Sequence, residues 1–158
     1  MPKRYGQRCP VAKSLEIFGE RWTLLVIRDL LRGPRRFQDL VDSLDGIAPN
    51  VLSERLKVLE EHGIVAREFY SEHPPRAAYT LTPRGRELGK VIGALAVWGS
   101  RHVHHDAALV HDDCDAALEL KYYCPKCDTR VSGRTVHLRT VARPTARPST
   151  RRRRTAAR

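Results

Sequence analysis

The stretch GIAPNVLSERLKVLEEHGIV, residues 46–65, decides how this chain folds. Its leucines recur at the spacing of one helix face, at positions Leu52, Leu56 and Leu59. Pro49 is suited to the first position of a helix, and Gly63 is suited to the position just after one. The pattern therefore predicts a helix from Pro49 to His62 that buries its leucines.

The opposite face of this predicted helix is polar. It carries Asn50, Ser53, Glu54, Lys57 and Glu61. A helix at the surface of any protein has this composition, so the flanking segments decide whether the polar face binds something.

Two helical segments precede the stretch. Residues 9–32 carry an apolar helical pattern that Gly19 is expected to divide into two helices, and Gly33-Pro34 ends it. Residues 35–46, RRFQDLVDSLDG, predict a short helix with its apolar residues inward. Only Ile47 and Ala48 separate this short helix from the next one.

A hairpin and a last helix follow the stretch. Residues 64–70 and 76–82 are rich in strand-forming residues and are joined by a predicted turn at 71–75, which indicates a β-hairpin. Thr82-Pro83 then suits the start of a long helix that extends to about His105.

This order of elements predicts a mainly α fold with a small β-wing (α+β), the winged helix-turn-helix. Two helices joined by a tight turn form a helix-turn-helix, and a hairpin directly after them is a wing. The second helix of such a pair enters the major groove of DNA. We therefore expect the helix from Pro49 to contact double-stranded DNA through its polar face.

Several separated motifs together resemble the HxlR-type winged-helix transcriptional regulators. They are CPVAKSLEIFGERWTLLVIRDLLRGPRRFQDL from Cys9, GIAPNVLSERLKVLEEHGIV from Gly46, PPRAAYTLTPRGREL from Pro74 and AVWGSRH from Ala96. The resemblance implies a homodimer that binds a pseudo-palindromic operator, with the first and last helices as the dimer surface. The family often has Ser or Thr where Ala48 stands, and alanine has no side chain that can cap the helix.

Seven residues are predicted to contact DNA. Asn50 and Ser53 lie where base edges are expected, and Asn can bind adenine with two hydrogen bonds. The other five are expected to contact the backbone phosphates or, at the wing, the minor groove. They are Arg35, Arg36, Arg55, Lys57 and Arg76.

The charge is concentrated at the C-terminus. The formal net charge of the 158 residues is +11, but residues 135–158 hold eight arginines and no acid, which leaves +3 for residues 1–134. We expect a disordered Arg-rich tail at 139–158 that binds polyanions without sequence preference. No apolar run indicates a signal peptide or a membrane span, so the expected location is the cytoplasm, at the nucleoid when bound to DNA.

Cys9 is a possible redox sensor. It precedes the first helix among Lys3, Arg4, Arg8 and Lys13, a setting typical of reactive cysteines. Some members of the resembling family sense oxidants or electrophiles through a cysteine here, so an oxidant or a small-molecule effector is expected. The alternative is a small buried residue near the dimer surface.

The other three cysteines form a metal-binding pattern. Two pairs with two-residue gaps can each bind one side of a tetrahedral Zn²⁺ ion. The predicted ligands of one structural zinc per chain are His111, Cys114, Cys124 and Cys127. His104 and His105 are substitutes for His111, and the residues between the two pairs are expected to form a small hairpin.

The chain thus divides into three predicted parts. Residues 1–106 are the winged-helix and dimerisation domain, 107–138 a zinc-ribbon-like appendage, and 139–158 the tail. We predict a sequence-specific DNA-binding transcriptional regulator with no catalytic residues and no membrane partner. The alternatives are a zinc-dependent protein-interaction module and a thiol redox enzyme that uses the CxxC motif, although no nucleophile–base pair accompanies that motif.

Overall fold

The computed structural model describes residues 5–72 and 75–139, and the chain divides into two compact units, Met1–Leu120 and Lys121–Arg158. The predicted division after residue 106 therefore differs from this one, since residues 107–120 lie within the first unit. The predicted Arg-rich tail, apart from Arg139, lies outside the described residues.

The described residues of the first unit form six helices and three strands. The helices are α1 (Pro10–Phe18), α2 (Thr23–Leu31), α3 (Phe37–Ser43), α4 (Pro49–Glu61), α5 (Pro83–Arg86) and α6 (Gly89–His102). The strands are β1 (Arg35–Arg36), β2 (Val65–Glu72) and β3 (Pro75–Leu81). The predicted winged helix-turn-helix is confirmed, with α3 and α4 as the helix pair and β2 and β3 as the wing. No helix in the described part of the chain is long and apolar enough to cross a membrane.

The leucine face of α4 forms the centre of the core, as the sequence predicts. Leu52, Leu56 and Leu59 are each at most 1 % exposed and pack with buried residues of α2, α3 and the sheet. The cluster also holds Val26, Ile27, Leu30, Leu40, Leu44, Ile47, Ile64, Val65, Tyr79 and Leu81. Burial of this face fixes which residues of α4 remain at the surface.

Gly19 separates α1 from α2, as predicted. A Cβ atom on this residue would lie 2.5 Å from the Leu15 carbonyl oxygen, so the close approach at the end of α1 requires glycine. Gly33, with φ of 132°, follows α2 in a conformation that other residues rarely adopt.

The sheet that holds the wing contains one further strand, β1, which the sequence did not predict. The sheet order is β1-β3-β2, with Arg35 opposite Tyr79 and Arg36 opposite Ala78. A strand of two residues carries too little alternation to be recognised in a sequence. As a result, the two arginines lie in the sheet, directly before α3.

The prediction of one long helix from Pro83 to about His105 was wrong. Thr82 does cap α5, because its hydroxyl accepts a 3.1 Å hydrogen bond from the Gly85 amide. The following residues form hydrogen bonds between positions three apart instead of four. For example, the Leu88 N–H donates to the Gly85 carbonyl at 3.1 Å. This short stretch of 3₁₀-type bonding separates α5 from α6.

The second unit contains a two-stranded hairpin. Its elements are β4 (Tyr122–Cys124), β5 (Thr129–Val131) and a 3₁₀ helix (Gly133–Thr135). The two strands are antiparallel, and Cys124 lies opposite Thr129 at the turn.

Candidate nucleic-acid interface

The polar face of α4 is exposed along its length. Asn50, Ser53 and Lys57 are exposed, and the buried leucines on the other side hold the helix in place. Lys57 Nζ lies 4.0 Å from the Glu61 carboxylate, a loose surface ion pair that leaves the ammonium group accessible. The three side chains are thus exposed, as the leucine period predicts, and their contacts with bases and phosphates stay predictions.

Arg36 is held at the junction of α3 and the wing. Its backbone N–H donates a 2.8 Å hydrogen bond to the Asp39 carboxylate, which caps α3 from within the helix. Its guanidinium carbon lies 4.9 Å from the centre of the Tyr70 ring. Arg35 is half-buried and points to the other side of the sheet. Of the two arginines, Arg36 is therefore the exposed one.

Arg55 lies apart from the exposed face of α4. Its side chain is only 15 % exposed, and its guanidinium lies 3.9 Å from Glu20 and 3.7 Å from Glu54. Glu20 belongs to the connection between α1 and α2, so this arginine links α4 to the N-terminal helices. Its predicted phosphate contact stays a prediction, and this geometry does not favour it.

The wing presents aromatic side chains that the sequence reasoning missed. Phe69 is 60 % exposed and Tyr70 is 48 % exposed, and both lie near the end of β2. Arg76, the predicted wing contact, is exposed in β3 opposite Ser71. The signal was available in the sequence as two adjacent aromatic residues near the end of a predicted strand, where one of the two has to point away from the core.

The two predicted metal-binding pairs lie in turns of equal length, one in each unit. In the first unit His111 N donates to the Ala116 carbonyl at 3.0 Å, and His111 Nδ1 lies 3.3 Å from Cys114 Sγ. In the second unit the turn runs between Cys124 and Thr129. Each turn therefore has four residues between its paired ends, and in each the residue after the second ligand is an aspartate in the left-handed region, with φ of 53° and 48°.

Backbone amides lie near one sulfur of the second turn. Hydrogen bonds to this sulfur lower the pKa of the Cys124 thiol. The largest cause is the Cys127 N–H, followed by the Cys127 thiol and the Lys126 N–H. Hairpins close at the two turns themselves, rather than between them as the sequence predicted. Across residues 5–72 and 75–139, no three His, Cys, Asp or Glu side chains converge in a way that could hold a metal ion.

Comparison with known proteins matches this chain to one family. The profile of the HxlR-like helix-turn-helix proteins matches residues 17–107, which span α2 to α6 and the wing. The chain belongs to this family. Members and relatives of the family are transcriptional regulators, so the interpretation as a DNA-binding regulator is supported, whereas the interaction-module and redox-enzyme alternatives are not.

Similar proteins extend the likeness beyond the family profile. The HTH-type transcriptional regulator Rv3095 of Mycobacterium tuberculosis is 37 % identical over 130 residues, which cover 80 % of this chain and 82 % of that protein. The structure of PA1374 from Pseudomonas aeruginosa is 35 % identical with a TM-score of 0.65, and the match covers 87 % of this chain and 94 % of that one. The oxidised form of the redox regulator HypR is 32 % identical with a TM-score of 0.56, over 60 % of this chain and 97 % of that one.

Proposed function

We propose that this regulator binds a pseudo-palindromic operator as a homodimer, with one α4 in the major groove of each half-site. The observation that carries the proposal is the exposed polar face of α4, fixed by three buried leucines and followed by a wing. Asn50 and Ser53 read bases, while Lys57, Arg36 and Arg76 neutralise phosphates. This activity belongs in the cytoplasm, at the nucleoid.

An apolar stripe on α6 supports the homodimer. Val91, Leu95 and Trp98 recur at the spacing of one helix face and are 37 %, 50 % and 58 % exposed. On α1, Val11 and Leu15 are likewise 55 % and 36 % exposed. Large apolar side chains grouped on a helix face are typical of protein interfaces. We propose that a second copy of the chain covers these two faces.

Selection of duplexes from random DNA with the purified protein, followed by protection mapping on the selected sequence, tests this function. We expect two protected half-sites about one helical turn apart. Protein that enriches no sequence, or a monomer that protects a single half-site, would contradict the proposal. The same experiment yields the operator, which every variant described below then uses as its ligand.

We also propose that Cys9 makes this regulator sensitive to oxidants. Cys9 is half-buried and is the N-cap residue of α1, which carries part of the proposed dimer surface. HypR, a structural neighbour, is a redox regulator. Peroxide at micromolar levels should weaken operator binding by the wild type and leave Cys9→Ser unaffected. An equal response of the two proteins would remove Cys9 from the mechanism.

We further propose one structural zinc ion per chain, with the ligand set that the sequence predicts: His111, Cys114, Cys124 and Cys127. The turns support it, because both have four residues between their paired ends and both hold an aspartate in the left-handed region directly after the second donor. Zinc in structural sites takes four ligands, and the predicted set supplies four. Three sulfurs and one imidazole suit zinc better than Mg²⁺ or Ca²⁺.

A further inference from the structure

Two arginine–aromatic stacks lie on the wing, one on each face of the sheet. Arg36 stacks on Tyr70 with 4.9 Å between the guanidinium carbon and the ring centre, and Arg67 stacks on Phe69 at 4.8 Å. Arg67 pairs with the buried Tyr79 and so lies on the core-facing side. Arg36 pairs with Ala78, the residue next to Tyr79 in β3, and therefore points to the opposite side of the sheet.

An irregularity in the wing aims Tyr70 at Arg36. The register passes from Phe69 opposite Ala77 to Ser71 opposite Arg76, so Tyr70 has no partner in the β3 ladder. Such bulges turn a side chain away from its regular direction. Tyr70 is 48 % exposed, so core packing does not account for the aromatic ring at this position.

We propose that Arg36 and Tyr70 together bind one DNA phosphate at the junction of the wing and α3. This inference rests on the proposed DNA-binding function and adds Tyr70 to the residues that contact DNA. The ring holds the flat guanidinium by one face and leaves its N–H edge available for two parallel hydrogen bonds to phosphate oxygens. The tyrosine hydroxyl is a further donor within the same group.

The backbone reinforces this arrangement. Arg36 is fixed from three sides: its strand pairs with β3, its amide is bound by the Asp39 carboxylate, and its guanidinium lies on the Tyr70 ring. An arginine that is already ordered loses less side-chain freedom when it meets its ligand. Tyr70 therefore acts partly as a positioning residue for Arg36.

Arg67 provides a matched control, because it carries the same charge on the same wing. Its guanidinium lies near two rings, Phe69 at 4.8 Å and Tyr79 at 5.9 Å, on the core-facing side of the sheet. If the wing merely supplied diffuse positive charge, removal of either arginine would affect DNA binding equally. The proposal requires the two arginines to differ.

A double-mutant cycle with Arg36→Ala, Tyr70→Leu and the double variant, together with Arg67→Ala, tests the pair. Affinity is measured over a salt series for the selected operator and for a scrambled duplex of equal length. Arg36→Ala should make the negative slope of log affinity against log salt shallower by about one, and Arg67→Ala should leave the slope unchanged. Tyr70→Leu should weaken binding about two- to fivefold on both duplexes, the size of an exposed cation–π contact, because a phosphate contact carries no sequence information.

The coupling between the two residues decides the outcome. The double variant should bind no more than twofold more weakly than Arg36→Ala alone, and Tyr70→Phe, which keeps the ring, should lose less than Tyr70→Leu. Losses that multiply, or an equal slope change in Arg67→Ala, would overturn the pair. Thermal unfolding of each variant verifies that the wing remains folded. Wild-type protein that does not distinguish the operator from the scrambled duplex would instead contradict the proposed function.

Discussion

Ser43 Oγ donates a 2.7 Å hydrogen bond to the Asp29 carboxylate and thereby joins the end of α3 to α2. Asp29 is only 5 % exposed, and its other carboxylate oxygen accepts a 2.8 Å hydrogen bond from Arg28 Nε. A buried carboxylate needs such partners, because its transfer from water costs free energy that hydrogen bonds must offset. The bond fixes the first helix of the helix-turn-helix relative to the core, and so fixes the Arg36 end of that helix as well.

Loss of this bond should destabilise the fold. Ser43→Ala leaves one carboxylate oxygen of Asp29 without this donor and should lower the free energy of unfolding by about 1–3 kcal/mol. The Ser100 hydroxyl donates to the Val97 carbonyl of its own helix at 3.2 Å, so Ser100→Ala is the matched control and should change stability by less than about 0.5 kcal/mol. Urea denaturation of both variants measures the difference. Equal losses would show that the bond to Asp29 contributes no more to stability than the control bond.

A side chain that caps the N-terminus of α4 should stabilise the protein. Ala48 is the N-cap residue in an extended conformation with φ of −75° and ψ of 137°, and its methyl group forms no cap hydrogen bond. Ala48→Ser places an oxygen where it can accept from the free amides of the first turn and should raise the free energy of unfolding by about 1 kcal/mol. Ala48→Val offers no acceptor and should give no gain. A gain in both variants, measured by thermal unfolding, would indicate packing rather than capping.

The parts of the fold with a clear period could be predicted from the sequence, and the parts that depend on distant contacts could not. The leucine face of α4 and the breaks at Gly19 and Gly33 follow from local patterns, and each was confirmed. The end of α5 was missed although Gly85 and Gly89 flank it, because Arg86, Glu87 and Leu88 favour a helix and the interruption lies in the hydrogen bonding from Leu88 back to Gly85.

The same limit applies to the candidate site. Exposure of Asn50 and Ser53 follows from the leucine period, which assigns them to the other face. The ion pairs of Arg55 with Glu20, 35 positions earlier in the chain, and the stack of Arg36 on Tyr70 join residues far apart in sequence. Such pairs depend on the tertiary structure, and no spacing rule identifies them.

The exposed face of α4 should determine sequence preference. Asn50→Ala should weaken binding to the selected operator by about 1–3 kcal/mol and change binding to a scrambled duplex much less, because a base contact is lost. Lys57→Ala should weaken both alike, since its predicted contact is with phosphate. Competition titrations on the two duplexes measure the ratio. Equal losses on both duplexes for Asn50→Ala would assign base recognition to another part of the surface.

The apolar stripe of α6 should hold the proposed dimer together. Leu95→Glu places a charge among Val91 and Trp98, and burial of that charge in an interface without a partner is unfavourable. We expect this variant to sediment as a folded monomer and to lose most of its operator affinity. Lys90→Glu changes the charge on the same helix outside the stripe and should remain dimeric. A dimeric Leu95→Glu protein would contradict the assignment of this face.

Purified protein should contain about one zinc ion per chain, and the two turns of equal length should be required for it. Cys124→Ser removes a thiolate from one turn and Cys114→Ser removes one from the other, so each should lose the metal. Cys9→Ser, which alters a cysteine outside both turns, should retain it. The leucine core of the first unit packs without any of these ligands, so metal-free variants should keep the melting transition of that unit and show faster proteolysis of the second. Elemental analysis decides the matter: metal-free wild type with the thiols of Cys114, Cys124 and Cys127 all open to titration in the folded state would refute the zinc proposal.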